Sequence, residues 1–600
     1  MRNYVGLGCT FHDPAFAIVD SKGTIVFAEG TERHQQTKRA FQCAPDDMSR
    51  LNELLSTYGE AGAEIVFAKS WSSQFESIQP GLLETYDAIL ANAPGAIDPS
   101  FDALLRAMGI DIRSVDSDGA RYLANGYRWI LGSNRPAIQV AGSNLRYRLR
   151  EGMPGFQGAI VQRAYNHHLT HAATACYTSP FDEAVCAVID GLGEGTSNTF
   201  YRYRDGRLTL LADSATRRGF GSLGLFYGHL CWACGFDPSR GEEWKVMGLA
   251  AYGKLNAQIY ELLHSMLEHD TLALAWPADY AEKMSQLLTL RRRPKSSPLE
   301  AADLAFTGQQ VFGEYFKALL DDLYELGESD NLVLGGGCAL NSAWNGRILE
   351  ETRFSSLHVF SAPADDGNAI GAALLAYHED HPPTKAPASH QTPYLGSSVS
   401  SETLDLAVTL GGLLDALPPG QSVAEFTAGL LAAGKIVGWV QGRAEFGPRA
   451  LGNRSILADP RDPKMKDWIN ARVKFREEFR PFAPSILHEH GPEYFQNYQE
   501  APYMERTLVF RPEVRSRVPA VVHVDGTGRL QTVKREHNPR FHALICAFHE
   551  LTGVPILLNT SFNVMGKPII HSVEDALAVF FTSGLDALVI DDKVFLKESS

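Results

Sequence analysis

Short apolar runs punctuated by Gly and Asp open the chain. "YVGLGCTFHDPAFAIVDSKGTIVFAEGT" reads as two strands around a turn at Ser21 to Thr24, the pattern of a hairpin. The layout recurs at "AVCAVIDGLGEGTSNTFYRYRDGRLTLLADS", where a strand ends at Asp190, a Gly-rich turn follows, and a second hairpin turns at Asp205-Gly206. Between the copies lies "AYNHHLTHAATACY", a helical run that sets His167 and His171 four apart and so on one face. Further on, "NLVLGGGCALNSAWNGRILEE" predicts a strand, a glycine turn and a helix, and "PADDGNAIGAALLAY" puts Asp365 and Asp366 before a helix of small residues.

The repeated strand, turn and returning strand fit the two-lobed actin/Hsp70/sugar-kinase type of ATPase, in which turns after the first strands face nucleotide phosphates. Two unrelated hairpins in an α/β protein fit the same pattern, and the sequence leaves both open. The segment His378 to Ser401, "HEDHPPTKAPASHQTPYLGSSVSS", is rich in Pro and small polar residues and reads as a linker. The expected domains are thus residues 1–380, a linker at 381–401, and a second α/β domain at 402–600 that opens with helix-like "SVAEFTAGLLAAG" and strand-like "KIVGWV".

Composition narrows the class. Six hundred residues exceed one core, and 44% hydrophobic with 21% charged residues is ordinary for a soluble globular protein. Neither a leader-like N-terminus nor an apolar run of about 20 residues is visible. Eight cysteines are too few for a disulfide framework, so a cytoplasmic setting without membrane contact is expected. "CWAC" at Cys231 and Cys234 has no second CxxC and reads as a buried helix face. The net charge of −15 disfavours polyanionic partners over the surface as a whole, nucleic acid included.

One segment runs against that charge. From Arg443 to Arg480, seven arginines and three lysines face six acids, a local net of +4. Glycines in "EFGPRALGNR" allow guanidinium groups to approach a ligand closely, and arginine's planar fork suits phosphate and carboxylate oxygens. The alternative is a solvated, charged helix from Asp462 to Phe479, which explains the lysines but not the Gly-flanked arginines. An anion site is favoured.

These motifs resemble a known family. "GRAEFGPRALGNRSILADPR", "VKFREEFRPFAPSIL", "HVDGTGRLQTV" and "TGVPILLNTSFNVMGKPI" are similar to the O-carbamoyltransferases of the NodU/CmcH group. "FHDPAFAIVD", "NHHLTHAATACYTSPFDEAVCAVIDGLGE", "GEEWKVMGLAAYG", "GGGCALN" and "ADDGNAIGAAL" occur in that family's order. The resemblance implies an α/β protein with an N-terminal duplicated actin/Hsp70-like ATPase fold, like the enzyme of tRNA threonylcarbamoylation, and a C-terminal YrdC-like domain. It implies two steps: carbamoyl phosphate and ATP give carbamoyl-adenylate and pyrophosphate in the C-terminal domain, and the N-terminal domain passes the carbamoyl group to a hydroxyl. The acceptor expected is a small natural product, with a tRNA or modified base as the alternative; a homodimer is the assembly to test.

Carried over by motif, the adenylation site comprises Arg449, Lys474, Arg480, Arg529 and Ser561, with Arg443 and Asn559 added. The metal set is His167, His171, Asp190 and Asp365, whose imidazoles and carboxylates suit Fe²⁺, Zn²⁺ or Mn²⁺; Mg²⁺ accompanies ATP. HxxxH alone lacks the glutamate of a zinc-protease motif. His12 is the expected base or orienter at the acceptor hydroxyl, with capping of the first hairpin as its structural alternative. Arg33 and Lys38 are expected on the path of acceptor or nucleotide. Lys245 is a phosphate contact, with Glu243 as an alternative ion-pair partner, and Gly336, Gly337 and Asn341 are expected to touch nucleotide. The chain departs from the family at "GTERHQQTKRAF", over residues 45–160, and at "GKPII"; the first two bear on the acceptor.

Overall fold

A computed structural model of the chain describes residues 1–91, 118–151, 160–214, 221–381, 390–477 and 479–597. Residues 92–117 and 152–159 of the departure at 45–160, and residues 382–389 of the linker, therefore lie outside the described residues. The chain forms two compact units. Unit one comprises Met1–Thr31, Arg39–Asn341 and Ile348–Gln391; unit two comprises Glu32–Lys38, Ser342–Arg347 and Thr392–Ser600. Two short pieces of the expected first domain, residues 1–380, thus belong to unit two, which a linker read from composition does not reveal.

In unit one, β1 (Arg2–Gly8), β2 (Ala15–Val19), β3 (Ile25–Gly30), β4 (Glu64–Lys69) and β5 (Val161–Ala164) form a sheet in the order β3-β2-β1-β4-β5. After β6 (Glu183–Ile189), β7 (Asn198–Arg204) and β8 (Arg207–Asp213), a small separate hairpin holds β9 (Glu268–Asp270) and β10 (Ala273–Ala275). Then β11 (Asn331–Gly335) and β12 (Ser356–Val359) complete a second sheet, ordered β12-β11-β6-β7-β8. Both sheets have the same plan. Their first three strands are antiparallel neighbours, and the fourth and fifth add in parallel beside the first. Unrelated hairpins would not share strand order and direction, so the duplication is real and the fold is the actin/Hsp70-like one expected.

Each copy ends in a helix, and the helices exchange partners. The helix His167–Tyr177 follows β5 but packs on β6 and β11 of the second sheet; the helix Asn368–Asp380 follows β12 but packs on β1, β2 and β4 of the first. The two helices also pack on each other. Glycine makes this approach feasible: a Cβ on Gly371 would lie 2.0 Å from the Thr170 carbonyl oxygen, and one on Gly6 would lie 1.7 Å from that of Ala369. The starts of both helices are thereby brought beside the end of β6.

Unit two is built on one mixed sheet. Its strands are β13 (Val437–Val440), β14 (Arg454–Ala458), β15 (Ala483–Leu487), β16 (Arg506–Val509), β17 (Thr527–Val533), β18 (Ile556–Ser561), β19 (Ala587–Ile590) and β20 (Lys593–Leu596). They lie in the order β16-β17-β15-β18-β14-β13-β19-β20. Trp439, Ile456, Phe541, Ile556 and Leu588 belong to its core. The alternative of a solvated helix from Asp462 to Phe479 fails: the helix Met465–Ile469 passes into a π-turn at Asn470–Lys474, and Phe475 is left-handed at φ 50°. A π-turn of this kind redirects side chains, and Lys474 is buried rather than solvated.

Candidate functional site

In unit one the helix His167–Tyr177 begins with the Asn166 side chain capping the Leu169 N–H, and His167 and His171 come one turn apart on its inner face. Asp190 closes β6, and Asp365 opens the short turn that leads into the helix Asn368–Asp380. All four are buried. The Nε2 atoms of His167 and His171 lie 3.4 and 3.3 Å from Asp365 Oδ1, and 3.7 and 3.8 Å from Asp190 Oδ2. Those separations exceed a good hydrogen bond but match the roughly 3.4 Å between ligands that bonds of about 2.1 Å impose on a tetrahedral ion.

The second sphere agrees. His167 Nδ1 lies 3.3 Å from the Ser70 carbonyl and His171 Nδ1 lies 3.2 Å from that of Pro363, which leaves both Nε2 lone pairs facing the carboxylates. Burial opposes a charge on His167, but Asp190 and Asp365 outweigh it and raise its pKa to about 10. Burial likewise opposes charge on the carboxyls, yet His167 and His171 hold Asp365 well below the usual carboxylate range, and His167 depresses Asp190. The donor set fits a borderline divalent ion.

Gly336 and Gly337 serve this centre directly. The Gly337 N–H donates to Asp190 Oδ1 at 2.7 Å, and Gly336 turns at φ 87° where a Cβ would meet the Ile189 carbonyl at 2.4 Å. Asn341 exchanges hydrogen bonds with Gln309, at 3.2 and 3.1 Å. His12 stands beside the centre: its Nδ1 is 3.0 Å from Asp13 Oδ2 and 3.6 Å from Asp365 Oδ2. Arg39 grips the same Asp13 oxygen, with Nε at 3.0 Å and Nη2 at 2.9 Å. Arg39 and Asp13 both carry positive φ, 61° and 53°, a strain that persists where surrounding contacts enforce it. Burial raises the Glu243 carboxyl, against the pull of Arg39 and His12. The alternative ion pair of Lys245 with Glu243 takes another form: Lys245 Nζ is 2.8 Å from Glu242, three residues back.

In unit two the basic segment converges. Lys474, 2% exposed, directs its ammonium to the Ser561 carbonyl, to Ser561 Oγ at 3.2 Å, and to the carbonyl and Oδ1 of Asn563 at 3.1 and 2.7 Å. Burial, then Arg476 and Arg480, pushes its pKa well down. Burial also lowers Arg529, with Arg449, Arg476 and Arg480 adding to it, and burial lowers Arg449 to about 10. Arg449, Lys474, Arg480 and Arg529 are therefore gathered as expected, and Arg476 joins them. Glu477 lies 3.3 Å from Arg480. Cations crowded to the point of lowering one another's pKa values are stabilised by an incoming anion.

The other expected residues of these segments make the following contacts. Arg443 donates to the carbonyls of Leu395 and Gly396, anchoring the loop before β14. Arg33 is buried in unit two and donates to the Gly447 carbonyl at 2.8 Å, while its Nη1 meets no partner. Lys38 is half-exposed and lies 3.1 Å from both oxygens of Glu32. Asn559 is buried, with its amide nitrogen near Ala450, Ser485 and Gln531.

Residues 155–374 match the family described as carbamoyltransferase N-terminus, and residues 428–597 match carbamoyltransferase C-terminus. An uncharacterized protein of Synechocystis is 37% identical over all of this chain and 97% of its own length. This chain belongs to the carbamoyltransferase family. Nodulation protein NolO of Bradyrhizobium diazoefficiens is 38% identical over 71% of this chain and 77% of its own. Nodulation protein U of Sinorhizobium fredii is 31% identical over 80% and 88%. The protein is accordingly a carbamoyltransferase enzyme. Three residues of this carbamoyltransferase escaped sequence reasoning: Asp13 and Arg39, which brace His12, and Arg476, which completes the cation group. Asp13 adjoins His12 and Arg476 lies between Lys474 and Arg480, so adjacency was the available signal.

Proposed function

We propose that this carbamoyltransferase forms carbamoyl-adenylate in unit two and transfers the carbamoyl group to a hydroxyl of a small-molecule natural product in unit one. The observation that carries the reading is the convergence of Arg449, Lys474, Arg476, Arg480 and Arg529 in a protein of net charge −15. Such a group suits two phosphorylated substrates at once, carbamoyl phosphate and ATP with its Mg²⁺. One water enters, and carbamoyl-adenylate, pyrophosphate and inorganic phosphate leave, which balances the phosphorus. The cations hold the phosphates in line and stabilise the charge that develops on pyrophosphate, and Ser561, fixed by Lys474 and Asn563, orients the carbamoyl end.

In unit one, His12 takes the proton of the acceptor hydroxyl. With Nδ1 directed at Asp13, itself held by Arg39, the other ring nitrogen is left as the base. His167, His171, Asp190 and Asp365 would hold a divalent ion, which when bound would supply positive charge for the phosphate of the adenylate. Gly336, Gly337 and Asn341 would meet nucleotide beside it. Incubation with carbamoyl phosphate, ATP and Mg²⁺ should release pyrophosphate, and Arg480→Ala should lower that release at least 100-fold. Release no greater than background, or indifferent to Arg480→Ala, refutes the adenylation step.

A further inference from the structure

The helix Pro539–Thr552 packs on β15, and β15 passes directly into the turn His488–His490. Residues four and seven apart on a helix share a face, so His542, Cys546 and His549 line one side of this helix. The turn meets that side twice. Glu489 Oε1 lies 3.2 Å from His542 Nε2, and the ring of His490 lies 4.7 Å from that of His549. None of these residues has a part in the carbamoyl chemistry.

His542 is the centre of the group. Its Nε2 carries the hydrogen that meets the Glu489 carboxylate, which leaves Nδ1 as the bare nitrogen. That nitrogen lies 3.5 Å from Cys546 Sγ. Sulfur and nitrogen bonded to one tetrahedral zinc ion, at about 2.3 and 2.05 Å, stand roughly 3.5 Å apart. The helix pair is therefore already at the separation that an ion imposes.

The third donor is near. One nitrogen of His542, Cys546 Sγ and a carboxylate oxygen of Glu489 lie within 4.8 Å of one another. Oxygen and sulfur on such an ion stand roughly 3.6 Å apart, so Glu489 has about an ångström at most to close. Its side chain is half-exposed and can turn, whereas that of His542 is only 13% exposed. A nearly buried imidazole whose two nitrogens face a carboxylate and a thiol differs from a chance group of surface acids. Thiolate and imidazole donors suit zinc, while magnesium and calcium take oxygen ligands.

We propose that Glu489, His542 and Cys546 bind one Zn²⁺ ion in unit two, with the fourth position left to water. Zn–S, Zn–N and Zn–O bonds form, the thiol proton passes to solvent because the thiolate is the ligand, and Glu489 gives up its hydrogen bond to Nε2. The ion ties the helix Pro539–Thr552 to the end of β15.

Cobalt titration of the metal-stripped, full-length protein tests this, because a cobalt–thiolate bond gives a near-ultraviolet charge-transfer band that imidazole and carboxylate ligands do not. The band should saturate at one equivalent per chain, vanish when Zn²⁺ is added, and withstand a large excess of Mg²⁺. Cys546→Ser should abolish it and weaken Zn²⁺ at this site at least about hundredfold, whereas Glu489→Gln should keep the band and weaken Zn²⁺ about tenfold. His171→Ala should leave the band whole, which separates this ion from any held by the His/Asp group of unit one. Absence of the band in the unaltered protein overturns the proposal, and that measurement needs no variant to fold. A band that survives Cys546→Ser, or affinity indifferent to Glu489→Gln, overturns it as well. So does zinc that persists in Cys546→Ser but is lost in His549→Ala, which would place the ion on the His490–His549 pair.

Discussion

Lys474 and Glu505 are both buried charged groups of unit two, and each makes a different demand on the protein. Burial and the neighbouring Arg476 and Arg480 both lower the Lys474 pKa, and a bound phosphate would relieve the repulsion among these cations. Arg529→Met should leave the melting temperature without ligand unchanged or slightly higher, yet remove most of the rise that inorganic phosphate gives; differential scanning fluorimetry reads both. Glu505 is raised to about 7 by burial, with Arg506 pulling the other way. A carboxyl whose folded pKa exceeds its unfolded one keeps an extra proton in the folded state, so stability falls as pH rises from about 4.5 to about 7. Glu505→Gln should flatten that portion of the stability curve, as measured by urea midpoints at pH 5 and pH 8. In unit one, His171→Ala should lower bound divalent metal and impair transfer to the acceptor while pyrophosphate release continues. Equal loss of both activities would mean that the two steps have been assigned to the wrong units.

Helices that cross from one sheet to the other explain why four ligands from three places in the sequence can meet. Gly371 lies where the helices touch, and a larger side chain there must drive into the Thr170 carbonyl. Gly371→Val should cost about 3 kcal/mol or more and release metal along with it, seen by urea unfolding and metal analysis on the same samples. The hairpins were legible in the sequence because their signals are local: Asp205 and Gly206 are both left-handed, at φ 49° and 73°, as a two-residue hairpin turn requires. The exchange of helices was not legible, since a small-residue helix such as "NAIGAALLAY" fits either sheet equally well and only tertiary packing chooses. Arg449 was legible in its Gly-flanked stretch, whereas Lys474, Arg480 and Arg529 were legible only through the family's motifs; Arg476 lies in the same charge run with no local signal beyond adjacency to single it out. Of the two neighbouring acids, Glu242 rather than the alternative Glu243 pairs with Lys245, a choice that the sequence does not make because it depends on where the helix starts, at Glu243.

Net charge and local charge oppose each other across the whole molecule. With −15 overall, tRNA at micromolar concentration should show no retention at 150 mM salt, by filter binding; tight, salt-sensitive retention would redirect the search for the acceptor toward nucleic acid. The chain also enters unit two three times. Arg33 reaches the Gly447 carbonyl, Gln36 reaches that of Ile569 at 3.0 Å, and Asn345 reaches that of Glu505 at 3.0 Å. A fragment beginning at Thr392 loses all three bonds and should express poorly or aggregate beside the full chain. The same interleaving governs birth on the ribosome. At 5–20 residues per second, the segment around Arg33 emerges roughly half a minute to two minutes before its partners exist. Unit two is then the last part of the nascent chain to close, and its early segments depend on that delay being survived without capture by another chain.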